Sequence, residues 1–266
     1  GSKMAGVLAI IAVAPFAFVG FDTIPQAAEE FNFSPKKAKG IMVLAILFGA
    51  AMYVIITIIT AIAVPEGYTT WVEYINDAGS LEGLVSLPTF HAAKQLLGTP
   101  GLFFISLAVL GAILSGIMGF YMATSRLLYS ISKAGMIPGW FGELHEKYKT
   151  PKNAILFVLF VSCIAPFFGR TVLGWIVDMS SVGAAIGYGY TSLSAFVFAR
   201  KQGNKTVMVT GIMGTLIALI IVILLFVPIK GLDCSLGKES YICLVIWSLL
   251  GWFFYRKTQK KDATKS

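Results

Sequence analysis

The sequence predicts an all-α integral membrane protein of seven transmembrane helices, the first of them broken, on three observations. The chain is 57% hydrophobic and only 13% charged, with a mean hydropathy of +0.80, whereas soluble domains carry about 25% charged residues. Seven apolar stretches can be drawn, at about 4–28, 41–64, 102–129, 154–169, 172–198, 207–229 and 240–255. Most approach the ~20 residues (range ~17–25) that cross ~30 Å of hydrocarbon; the fourth and last are short. Finally, the basic residues alternate between connections: seven spans put sixteen of the 21 Lys and Arg on one side and five (Lys3, Lys94, Arg170, Lys230, Lys238) on the other. Basic connections face the cytoplasm, so the C-terminus is expected inside and the N-terminus outside. The net charge of +8 then needs no nucleic-acid partner.

The first stretch opens with an almost wholly apolar run, Met4 to Ala14, and continues "PFAFVGFDTIPQAAEE". Gly20, Asp22 and Pro25 arrive where a span most needs unbroken hydrogen bonds. Two readings are open. Residues 4–21 could be one span of ~27 Å, with Asp22 and Glu29 solvated at the surface. Alternatively, the helix stops around Phe18 to Gly20 and restarts at Thr23, where Thr23-Ile-Pro-Gln26 reads as a T-x-x-Q capping box with Pro25 tolerated in the first turn. On that reading "PQAAEEF" continues the new helix. The absence of charge from Thr23 to Ala28 favours the second reading. Non-helical backbone at membrane depth is tolerated where protein or a water-filled cavity satisfies it, and such breaks mark binding sites in secondary transporters. The carbonyl end of the first half-helix has negative dipole character, which suits an ammonium group.

The connection "FNFSPKKAKG" is short and basic. The external loop 65–100 is acidic, and its "TFHAAKQLLG" predicts a short surface helix capped at Thr89 and ended by Gly98. In the third span Gly111, Ser115, Gly119 and Ala123 recur every four residues. This small-residue face suits close helix packing, or a moving interface with the Ser115 hydroxyl offered to an ion or substrate. Asp178, about seven residues into the fifth span, is followed by Ser180, Ser181, Gly183 and Gly187. An ionisable group inside lipid is costly unless paired, so Asp178 is either wetted from outside or an outer-gate or cation-path residue. The candidate gate or ion-path residues are therefore Ser115, Asp178 and Ser181.

Three cysteines show no paired spacing: Cys163 and Cys243 fall in spans and Cys234 in the last external loop. His91 and His145 fall in loops, and neither a metal-ligand cluster nor a nucleophile–base arrangement is visible. No metal, cofactor or enzymatic activity is expected.

Two segments carry a resemblance. "FVGFDTIPQAAEE" with the following "SPKK" resembles the sixth transmembrane segment of the amino acid–polyamine–organocation permeases. "SRLLYSISKAGMIPGWFGELHEKYKTPKNAI", Ser125 to Ile155, is similar to the loop after that family's eighth segment. The two lie about 100 residues apart in the family's order. Family members usually have twelve spans, built as two inverted five-helix repeats plus two further helices, as in leucine-transporter-like folds. The resemblance therefore implies a C-terminal half, segments six to twelve. Residues 1–198 would be the second repeat, 199–255 the two additional helices and 256–266 a basic cytoplasmic tail. The first repeat, whose glycine-rich break holds the substrate carboxylate, would have to be supplied from outside this stretch.

By resemblance, backbone carbonyls near Phe16, Ala17 and Val19 take the substrate ammonium, and Gly20 permits the break. Phe16 or Phe18 forms an aromatic gate, with Asp22 and Thr23 orienting substrate or water. The expected function is secondary active transport of an amino acid or related amine across the plasma membrane, by alternating access coupled to H+ or Na+. The alternatives are a seven-helix receptor-like protein, or a regulatory half-permease that pairs with another chain. Against the receptor, Ser240 to Tyr255 holds no lysine to carry retinal, and neither an Asp/Glu-Arg-Tyr triplet nor an Asn-Pro-x-x-Tyr motif occurs.

Overall fold

The computed structural model describes residues 3–28, 31–229 and 235–263. Cys234, expected in the last external loop, and Glu29 of the expected half-helix lie outside the described residues. The described residues are predominantly helical: α1 (Lys3–Phe18), α2 (Thr23–Gln26), α3 (Pro35–Ile62), α4 (Trp71–Asp77), α5 (Pro88–Lys133), α6 (Lys152–Ile164), α7 (Val172–Gln202), α8 (Lys205–Phe226) and α9 (Lys238–Ala263). Five helical segments are long and apolar enough to cross a membrane: Lys36–Ile62, Pro88–Lys133, Lys152–Gly169, Val172–Gln202 and Lys205–Phe226. The first and last predicted stretches are also helical. However, α1 has only 16 residues, and α9 dilutes its apolar part by running on into the basic segment after Tyr255.

The chain divides into two compact units, Gly1–Val19 with Thr124–Ser266, and Gly20–Ala123. In the first unit α7 and α8 form an antiparallel pair held close by glycines. A Cβ on Gly211 would lie 2.9 Å from the Phe196 nitrogen and the Ser192 carbonyl oxygen, and one on Gly189 would lie 3.3 Å from the Ala218 Cβ. Backbones this near give dispersion contact that lipid cannot match. Helix α1 packs on this pair, placing Ala12 in a core with Val182, Leu224, Leu225 and Leu236. At its other end the unit is closed by aromatics. Phe141 stacks on Trp140 (4.1 Å) and meets the edges of Phe157 of α6 (5.3 Å) and Phe254 of α9 (5.8 Å).

The turn into that aromatic cluster has a stated cause. Helix α5 ends in Gly135 at φ +72°, with Met136 N–H bonded to the Ile131 carbonyl and Gly135 N–H to the Ser132 carbonyl. This is the paired closure of a Schellman end, which needs a left-handed residue and so selects glycine.

The second unit holds the segment 65–98. Thr70 caps α4 by accepting the Glu73 N–H, while the Glu73 carboxylate reaches back to the Thr69 N–H and hydroxyl. Those Thr69 bonds hold Glu73 below the usual carboxylate value. Tyr74 is fully buried; its hydroxyl donates to the Val85 carbonyl at 2.6 Å, and its ring lies between Tyr68 and His91. The short helix expected here starts at Pro88, so Thr89 falls inside its first turn rather than capping it. It meets the following span at Gly98 (φ +65°) with no intervening loop. The reason is local: proline suits a first helical turn because the amide it lacks would be unpaired there.

Candidate functional site

The break is present, and its geometry differs from a capping box. Helix α1 continues three residues past Pro15 and stops at Phe18, where the Val19 N–H turns back to the Phe16 carbonyl at 3.2 Å. This turn is the end of the first unit. Phe16 is 39% exposed, whereas Ala17, Phe18 and Val19 are half-buried.

The second unit opens on Gly20 at φ +135° with nothing within 4 Å of its missing Cβ. The glycine is thus demanded by backbone conformation and not by crowding. Its N–H donates to Asp22 Oδ1 at 2.8 Å, and its carbonyl accepts both the Thr23 N–H (3.1 Å) and the Thr23 hydroxyl (2.6 Å). Asp22 and Thr23 therefore clamp the turn by bonding its backbone.

Two expectations need correction. Thr23 does not cap from the flanking position; it is the first residue of α2 and its hydroxyl is turned to Gly20. Gln26 does not reach back to Thr23, and its Oε1 is buried with no partner among the described residues. Nor does the half-helix run on through "PQAAEEF": α2 is four residues long, and Phe31 is outside any helix. Gln26 is a candidate that sequence reasoning assigned to capping. Its only sequence signal was a polar residue within an uncharged, membrane-like run.

The other predicted residues separate. Ser181 on α7 is fully buried, and its Oγ has no partner among the described residues. It neighbours Val182, which shares a core with Ala12 of α1. Ala12 stands ~10 Å along α1 from Val19 at 1.5 Å per residue. Buried hydroxyls and amides are normally hydrogen-bonded, and Ser181 in the first unit and Gln26 in the second are each an exception. Asp178, half-buried, is bonded elsewhere: its Oδ2 accepts the Ser240 hydroxyl at 2.6 Å and the Gly237 N–H at 3.4 Å. It serves there as an acceptor at the start of α9, where a carboxylate also meets the positive helix end. Ser115 on α5 is exposed, and Gly111 and Gly119 beside it meet nothing within 4 Å. Among the described residues no three His, Cys, Asp or Glu side chains gather as a metal site requires.

Comparison with known proteins places the chain in a family. The family model described as amino acid permease matches residues 1–252. The branched-chain amino acid permease BcaP of Bacillus subtilis is 25% identical over 96% of this chain and 52% of its own length. The methylthioribose transporter of the same organism is 22% identical, over 75% of this chain and 40% of its own length. The low-affinity putrescine importer PlaP of Escherichia coli is 24% identical, over 72% and 40%. The chain thus spans about half or less of the length of these relatives. No solved structure matches it.

Proposed function

The chain belongs to the amino acid permease family, and from that premise we propose that it forms part of a secondary active transporter for an amino acid or a related amine. Its relatives and its apolar helices make it a multi-pass membrane protein. Seven spans, with α1 and α9 added to the five long apolar segments, account best for the alternation of basic residues. That topology leaves the C-terminus cytoplasmic in the plasma membrane. The chain corresponds on this reading to segments six to twelve, and a first repeat supplies the opposite wall of the site.

The observation that carries the proposal is the stop at Phe18, the positive φ of Gly20 and the restart at Thr23. Carbonyls at the end of α1, at Phe16, Ala17 and Val19, receive the substrate ammonium, and Phe16 or Phe18 closes over it. Asp22 and Thr23 hold the break open as positioning groups, and Ser181, in the same unit as the end of α1, offers a buried hydroxyl to substrate or ion. Asp178, clasped to the start of α9, is an outer-gate residue. Alternating access is driven by H+ or Na+. Proteoliposomes containing the protein from its full reading frame, offered a panel of amino acids and polyamines with H+ or Na+ gradients, test the proposal. Accumulation of one class under one gradient supports it, and no accumulation of any would overturn it.

A further inference from the structure

In the first unit, α7 and α9 flank an open apolar groove of about 1110 Å³, at or above the size of pockets that hold drug-sized ligands (roughly 300–1,000 Å³). Gly183 and Gly187 form its floor, and neither has an atom within 4 Å of its missing Cβ. Trp247 and Trp252 of α9 stand along its wall, 66% and 55% exposed. Polar lining is confined to Ser180, Tyr241 and Ser248, and the Tyr241 hydroxyl is already bonded to the Phe226 carbonyl. An occupant must therefore be apolar along most of its length.

One end of the groove is basic. Helices α7 and α9 start together, at the Asp178–Ser240 hydrogen bond. The far part of α9 reaches Phe141 and Phe157 at the opposite end of the unit, so the two helices run the same way. At that far end the Arg256 guanidinium lies 4.7 Å over the ring of Trp252, followed by Lys257. Helix α7 ends in Arg200 and Lys201, and Lys201 lines a separate, smaller hollow with Leu193 and Phe198. The acidic Glu143 of the neighbouring connection accepts a hydrogen bond from Asn153.

We propose that this groove is a specific site for one anionic phospholipid, with an acyl chain laid over Gly183 and Gly187 and the phosphate held by Arg256 with Lys257. Basic pockets between transmembrane helices suit anionic headgroups, and stacking on Trp252 orients the guanidinium toward them. The Gly183-x-x-x-Gly187 spacing would also admit a second helix. A two-fold dimer on this face, however, would bring identical basic ends together, which favours the lipid.

The test is native mass spectrometry of the lipid-stripped protein expressed from its full reading frame, titrated with phosphatidylglycerol or with phosphatidylcholine of the same acyl chains. One phosphatidylglycerol should be retained, with a preference of roughly fivefold for each basic group engaged. Arg256→Gln should bring the preference toward that for phosphatidylcholine. The double change Gly183→Leu and Gly187→Leu should abolish retention of both lipids, whereas Gly111→Leu, at another open glycine, should leave it intact. Equal retention of the two lipids, an unchanged preference in Arg256→Gln, or a lipid-free two-copy complex lost in the double variant would overturn the proposal. So would equal stabilisation by glycerol phosphate alone.

Discussion

The Thr23 hydroxyl donates to the Gly20 carbonyl at 2.6 Å, three residues back across the break. With Asp22 Oδ1 on the Gly20 N–H, this satisfies both polar backbone groups of the one residue whose φ no other side chain would tolerate well. A helix interrupted at membrane depth must answer for its freed amides and carbonyls. Here the residues that end the helix also answer for them.

Asp22→Ala removes the acceptor for the Gly20 N–H. Hydrogen bonds to charged groups contribute ~1.5–3 kcal/mol, so apparent substrate affinity in uptake assays should fall roughly tenfold or more. Asp22→Asn keeps an acceptor oxygen and should restore most of the affinity. Equal loss in both variants would assign Asp22 a charge role instead.

The Asp178–Ser240 bond predicts a stability phenotype. Ser240→Ala should lower the thermal stability of the detergent-solubilised chain by ~1–3 kcal/mol and leave uptake by the full protein measurable. Asp178→Asn, which still accepts from Ser240, should retain uptake. Abolished uptake in a normally stable Asp178→Asn variant would move this residue onto the ion path.

Gly211→Ala places a Cβ 2.9 Å from backbone atoms of Ser192 and Phe196 and should cost ~1–3 kcal/mol through overpacking. Gly111→Ala enters open space and, by helix propensity, should be neutral or stabilising by up to ~1 kcal/mol. Thermal unfolding of the two variants side by side checks the contrast.

Glu73 predicts a pH dependence local to the segment 65–98. The Thr69 hydrogen bonds, side chain before backbone, lower its folded value from the ordinary 4.5. The unfolded segment therefore binds the proton more readily. The stabilisation is complete above the unfolded value and is lost as pH falls through the folded one. Protection of the α4 amides, measured relative to their intrinsic exchange rates, should fall across that acidic window in the native protein, and Glu73→Gln should remove that fall.

What the sequence made legible was whatever rests on local pattern. Gly20 and Pro25 announced the break, and Gly98 announced the end of the short helix, because each imposes a backbone conformation by itself. Partnerships across the fold were not legible. Nothing near Asp178 names Ser240, which is 62 residues away and meets it only once α7 and α9 are packed. Thr23 and Gln26 fit a capping pattern, but the turn at Gly20 drew the Thr23 hydroxyl backwards and left Gln26 Oε1 without a partner among the described residues. The spans at the two ends were the least legible by length. The stop at Phe18 shortens α1, and α9 passes from apolar into basic residues with no break to mark its boundary.

The central claim is that the break exists to bind and move substrate, and one substitution tests it most directly. Gly20→Leu should abolish uptake by the protein expressed from its full reading frame while membrane expression stays intact. The reason is that leucine cannot hold φ +135° without strain. Near-normal uptake in that variant would contradict the account.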